Sequence, residues 1–110
     1  MEVNIEEKEG TIVVDVEGRI DASTAPKLEE ELLNKISQGK KKFLVNFSKT
    51  SYVSSGGLRA VLTARWELQK QGGNLALCNL NTNVYKVFKM AGFTSIFKIY
   101  PSEEEALGKI

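Results

Sequence analysis

Ser54, Ser55, Gly56 and Gly57 put two nucleophilic hydroxyls beside two residues with no side chain to crowd them. The hydroxyls follow the extended apolar pair Tyr52-Val53, and the glycines open a helical pattern that runs to about Gln71. A helix start leaves backbone N–H groups unpaired and carries a partial positive charge. A phosphate carried on serine is favoured in that setting. The simpler role for Ser54 or Ser55 is an N-cap that accepts from those N–H groups.

Other chemistries need partners that this chain does not supply. It has no histidine, which removes the usual base for a serine or cysteine nucleophile and the commonest metal ligand. The G-x-S-x-G pattern of a nucleophile elbow is missing too, so the serines do not read as those of a hydrolase. Neither G-x-x-x-x-G-K-[ST] nor G-x-G-x-x-G is present, which weakens a nucleotide-binding loop. A single cysteine, Cys78, excludes an internal disulfide and leaves no ligand set for zinc or an iron–sulfur cluster. It lies in the apolar run Leu75-Ala76-Leu77-Cys78, where a buried, inert thiol is expected. No cofactor or metal is expected, and the chain does not read as an enzyme.

At 110 residues the chain fits one small domain, taken as 1–110, with a single core. The net charge is +1 but unevenly spread: residues 1–39 hold ten acids and four bases, whereas residues 40–100 hold ten bases and only Glu67. A fold interleaves such segments, so this does not by itself make a basic face. With near-neutral balance and no recognition motif, direct nucleic-acid binding is not expected. The acidic start Met1 to Gly10 does not read as a signal peptide, and no apolar run approaches a membrane span. The expectation is a cytoplasmic protein without membrane insertion.

The elements that must hold the serines follow from periodicity. Val3-Asn4-Ile5 suggests a short strand, and Gly10 a turn. Ile12, Val14 and Val16 then alternate with Asp15 and Glu17 in a half-buried strand paired antiparallel to the first. Thr24 is placed to cap a helix whose first turn tolerates Pro26 and whose face is Leu28, Leu32 and Ile36. Gly39 fits its end, and the Glu29-Glu30-Glu31 and Lys40-Lys41-Lys42 runs read as solvated. Phe43 to Phe47 reads as a strand buried on both faces. The helix after the serines carries Leu58, Val61, Leu62 and Leu68 as its stripe, with Arg65 inside it and Trp66 at its edge. Asn74 to Cys78 is another buried strand. Asn81 caps a third helix with the face Val84, Val87, Phe88 and Ala91, closed by Gly92-Phe93. Ile96 to Tyr100 is a last strand, and Ser102 with Glu105 a capping box for a final helix.

The order β-β-α-β-α-β-α-β-α implies an α/β fold: a mostly parallel central sheet, an antiparallel N-terminal strand pair and about four helices. Loops after the carboxyl ends of the strands form the functional edge of such a sheet, and the serines lie on one of them.

Four features in order resemble a STAS domain of the anti-sigma-factor antagonist type. They are Gly18-Arg19-Ile20-Asp21 ahead of the first helix, the strand Phe43 to Phe47, Tyr52-Val53-Ser54-Ser55-Gly56-Gly57-Leu58, and Val87-Phe88-Lys89-Met90-Ala91-Gly92-Phe93. The resemblance covers essentially the whole chain. It implies partner switching: the unmodified protein binds an anti-sigma factor with serine kinase activity and so frees a sigma factor. Phosphorylation of a serine at the start of the second helix ends that binding, and a serine phosphatase restores it. The family pattern Asp-Ser-Ser/Thr/Ala-Gly-Leu places the phosphoacceptor at Ser55, with Ser54 at the aspartate position and a rival acceptor. Asn46 also stands where the preceding strand often carries an acid. The partner-binding surface expected from the resemblance comprises Asp21, Ser23, Thr24, Ser54, Ser55, Gly56 and Gly57, with Arg59, Thr63 and Trp66 along the second helix. Two other readings stay open: an unphosphorylated STAS scaffold or interaction subunit of a signalling or transport assembly, and a small-ligand domain using the glycine-rich loop.

Overall fold

Strand β2 (Thr11–Ile20) organises the molecule, because its two halves serve different neighbours. The computed structural model describes residues 1–110. The first half of β2 pairs antiparallel with β1 (Glu2–Lys8) and parallel with β3 (Lys42–Asn46). A register shift at Gly18/Arg19 then turns the second half toward β4 (Thr50–Val53), also in parallel. Gly18 has φ +100°, a backbone state that glycine adopts readily. The rest of the sheet continues in parallel through β5 (Asn74–Cys78) and β6 (Lys98–Tyr100), giving the order β1-β2-β3-β5-β6 with β4 beside β2.

Three helices cover one face: α1 (Ala25–Ser37), α2 (Ser55–Lys70) and α3 (Thr82–Met90). Leu28, Leu32 and Ile36 of α1 are at most 2% exposed, as their spacing of four requires. Each such side chain contributes at most about 1.5–3 kcal/mol through burial. They meet Ile12, Val14, Val16, Phe43, Val45 and the α2 residues Val61, Ala64 and Leu68 in one core. Phe47, Phe88, Phe93 and Phe97 add an aromatic cluster with ring centroids 5.6–6.3 Å apart, several tilted or edge-on. The opposite face carries only α4 (Glu103–Leu107), whose Ala106 packs on Leu44, Ala76 and Cys78.

Four expectations need correction. The stretch before the serines is a strand in its own right, so the order is β-β-α-β-β-α-β-α-β-α. Thr24 does not cap α1 through its side chain: its backbone is already helical and its hydroxyl turns back to Asp21. Ala91 lies beyond the end of α3 and is exposed, because the chain leaves the helix at Gly92 with φ +78°. Ile96 is outside β6 and 38% exposed, following a 3₁₀ turn at Phe93–Ser95 that buries Phe97 instead.

Candidate functional site

The loops after β2 and β4 lie side by side at the carboxyl edge of the sheet, because β2 and β4 are parallel neighbours there. The Ser54 N–H donates to the Ile20 carbonyl at 2.8 Å and carries the pairing one residue past the strand. Asp21 follows Ile20 directly, so the first loop starts where the second is tied.

Ser54 is the N-cap of α2. Its backbone is extended (φ −88°, ψ 175°) and its Oγ accepts from the Gly57 N–H at 3.4 Å, a long bond. Ser55 is the first helical residue and is exposed. The two hydroxyls therefore divide the roles that the sequence left open, Ser54 capping and Ser55 facing solvent. Gly57 is buried against the ends of β2 and β4: a Cβ there would stand 2.7 Å from Ile20 Cγ2 and 2.9 Å from Val53 Cγ1. Gly56 is different. Its missing Cβ would meet Ser54 Oγ at 3.5 Å and Ala25 Cβ at 3.6 Å, ordinary contacts.

Asp21, Ser23 and Thr24 form a self-contained turn. Asp21 Oδ1 accepts from the Ser23 hydroxyl at 2.7 Å, the Ser23 N–H at 3.0 Å and the Thr24 N–H at 3.1 Å. In return the Asp21 N–H donates to Thr24 Oγ1 at 2.8 Å, and the Thr24 hydroxyl donates to the Arg19 carbonyl at 2.9 Å. The Ala25 N–H reaches the Asp21 carbonyl at 2.8 Å, so the first α-type bond starts at Asp21. Asp21 is thus the capping residue three positions ahead of Thr24, in a reciprocal box. The Ser23 hydroxyl and the backbone N–H groups hold the Asp21 carboxyl below its ordinary range. Its acidity serves the loop's own shape.

Beside the loops, between the first turns of α1 and α2, runs a shallow cleft whose lining includes Ala22, Ala25, Pro26, Glu29, Gly56 and Arg59. Arg59 is exposed, Thr63 half-buried and Trp66 54% exposed. With Ser55 they are spaced four, four and three apart, so they follow one side of α2. Of the residues expected at the partner-binding surface, Asp21, Ser23 and Thr24 lie in the first loop, Ser54, Ser55, Gly56 and Gly57 at the start of α2, and Arg59, Thr63 and Trp66 along that side of α2. Arg65, which fell within the apolar stripe, lies half-buried with its guanidinium 5.6 Å from the Phe97 ring centre and a hydrogen bond to Gln69 Oε1.

Sequence reasoning missed two neighbours. The Arg19 guanidinium stacks 4.3 Å over the Tyr52 ring, and the two are cross-strand partners. Tyr52 also edges an apolar groove with Val53, Val84 and Val87 between β4 and α3. Only the pairing of β2 with β4 reveals either feature. Asn46 stands apart from the serines, on the α4 side of the sheet: its Nδ2 donates to Glu103 Oε1 at 3.0 Å and its Oδ1 accepts from Asn79 Nδ2 at 3.1 Å. Its amide holds α4 and the loop after β5.

Comparison with known proteins agrees with this architecture. The family model for the STAS domain matches residues 2–106. The anti-sigma-B factor antagonist of Bacillus subtilis is 31% identical over 102 residues, covering 93% of this chain and 93% of that protein. The anti-sigma-B factor antagonist of Listeria monocytogenes is 32% identical over 113 residues, covering 98% and 97%. Among solved structures, the phosphorylated form of the Bacillus cell fate determinant SpoIIAA aligns with a TM-score of 0.77 at 25% identity, covering 98% of each chain. With the sheet order, the helix placement and nearly the whole sequence in agreement, the chain belongs to the STAS domain family.

Proposed function

We propose that this protein is an anti-sigma factor antagonist that works by partner switching and catalyses no reaction itself. In its unmodified state it docks an anti-sigma factor with serine kinase activity through the loops at Asp21 and Ser55 and the Arg59–Thr63–Trp66 side of α2. Phosphorylation of Ser55 ends the docking, and a serine phosphatase resets it. The observation that carries this reading is the division of labour between the two serines: Ser54 Oγ caps the helix, whereas Ser55, the first helical residue, is exposed and next to Gly56, which lines the cleft. The names of the two antagonists at 31% and 32% identity support the partner class, and the phosphorylated SpoIIAA structure supports the switch.

A phosphate adds about −2 charge and three acceptor oxygens, which a tightly packed interface opposes through repulsion and desolvation. About 2.7 kcal/mol of such opposition weakens binding 100-fold. The test is peptide mapping by mass of the chain from its native host, with and without phosphatase. Phosphate on Ser55 is the expected result. Phosphate on Ser54 keeps the switch and moves the acceptor. A chain free of phosphate under all growth conditions overturns the switch and leaves the unmodified scaffold, for which Ser54 in place of the usual acid already speaks. Ser55→Asp should also lose most of its affinity for the anti-sigma factor, and undiminished binding would count against the mechanism.

A further inference from the structure

Arg59 lies four positions after Ser55 on α2, and both are exposed. Residues at that spacing are surface neighbours. Long helical side chains lean toward the N-terminus, so the patch Arg59 covers is the turn that Ser55 opens. Arg59 also lines the cleft together with Gly56. The ion pairs of the chain, Lys8 with Glu6 and Glu103, Lys40 with Glu7, and Lys70 with Glu67, leave its guanidinium unengaged. Two other charged groups border this place. The Asp21 carboxylate is engaged by its own loop, and Glu29 faces the cleft from α1.

We propose that Arg59 is the built-in counter-ion for a phosphate on Ser55. Modification then draws the guanidinium back onto the first turn of α2 and takes two groups from the partner at once, a hydroxyl and a cation. The inference rests on the reading of Ser55 as the acceptor. Ser54 does not offer the same geometry: it is five positions from Arg59, roughly 140° around the helix, and its Oγ is bonded to the Gly57 N–H.

The test uses the full chain with phosphoserine installed at position 55 during synthesis, with the phosphorus NMR shift followed as pH is varied. The second phosphate pKa, ordinarily about 6, is expected about 0.4 unit lower with Arg59 present than in Arg59→Gln. That figure converts an i,i+4 ion pair of ~0.5 kcal/mol at 1.36 kcal/mol per unit. Arg59→Lys should keep part of the shift. The helix dipole acts equally in all three proteins and cancels in the comparison. Phosphoserine at position 54 should show no dependence on Arg59. Equal pKa values in the wild-type and Arg59→Gln chains phosphorylated at 55, or the same difference at both serines, would overturn the pairing. Because the phosphate is installed without a kinase, the result is independent of whether the host modifies Ser55. A null result here, beside phosphate on Ser55 in the host, removes Arg59 and keeps the switch. A shift here, beside an unmodified host protein, keeps the pairing and removes the switch.

Discussion

Replacing Gly57 by alanine places a methyl carbon 2.7 Å from Ile20 Cγ2, 2.9 Å from Val53 Cγ1 and 3.3 Å from Ile20 Cβ. Carbon atoms pack best at about 3.5–4.0 Å, so the two closest contacts are short by about 0.8 and 0.6 Å. Neither neighbour can swing into solvent: Ile20 is 0% and Val53 2% exposed, and both belong to strands. The start of α2 must therefore lift off the sheet. Overpacking of this kind costs about 1–3 kcal/mol, and the better helix propensity of alanine returns up to ~1 kcal/mol. The expected net loss is about 1–2 kcal/mol, a fall in Tm of roughly 5–10 °C for a domain of this size. Gly56→Ala is the control, since its methyl meets neighbours at 3.5–3.9 Å and causes no overlap. It should be neutral or stabilising by up to ~1 kcal/mol. Thermal and urea unfolding of the two variants beside wild type decide the matter. Equal stability for Gly57→Ala and wild type, or equal losses from both glycines, would refute the argument that close approach to β2 and β4 fixes Gly57.

Three further outcomes follow from the geometry. Thr24→Val removes the acceptor for the Asp21 N–H and the donor to the Arg19 carbonyl, and urea unfolding should show a loss of about 1 kcal/mol; an unchanged midpoint would remove the reciprocal turn. Lys8 and, to a lesser degree, Asn46 hold the Glu103 carboxyl below its ordinary value of 4.5, so its contribution is complete above that value and is lost as pH falls through the lowered one. Asp21 acts in the same direction from 3.8, whereas burial raises Asp15 and opposes them. Urea midpoints taken below about pH 5 should consequently fall less steeply for Glu103→Gln than for wild type, and parallel curves would exclude the linkage. Finally, burial pushes the Cys78 thiol up to about 12, so a disulfide reagent near pH 8 should label the native chain only through opening and far more slowly than the urea-unfolded chain. Comparable rates would show that α4 does not shield it.

Regular burial made most of the fold readable in advance. Leu28, Leu32 and Ile36 lie in the core because a spacing of four selects one side of a helix, and Phe43 to Phe47 is continuous because helices cover both faces of the sheet there. Asn81 and Ser102 cap as their side chains suggest, accepting from Val84 N–H at 2.9 Å and Glu105 N–H at 3.1 Å. What escaped was set by distant contacts. β4 has four residues, two of them exposed, and becomes a strand only because β2 bends to meet it. Asp21 displaced Thr24 as the cap because both residue types suit that role, and the backbone around Arg19 decided between them. At the site, strand order placed the serines on the carboxyl edge of the sheet, whereas the neighbouring Asp21 loop came from the family resemblance alone, because the pairing of β2 with β4 that joins the two was not legible. Nor was the split between a capping Ser54 and an outward Ser55, since adjacent hydroxyls have the same local chemistry.

The bend of β2 at Gly18 has a mechanical consequence. Beyond it, the strand leaves the sheet's β1 and β3 and continues as a two-stranded ribbon with β4, and both site loops spring from the tip of that ribbon. The bond from Ser54 N–H to the Ile20 carbonyl couples the loops at their base. A load applied at either loop is therefore shared by the other, and Ile20 and Val53, both in the core, carry it onward. The ribbon thus ties the two loops into one unit seated on the core, and a force on the Asp21 loop also meets the stiffness of the helix that begins at Ser55.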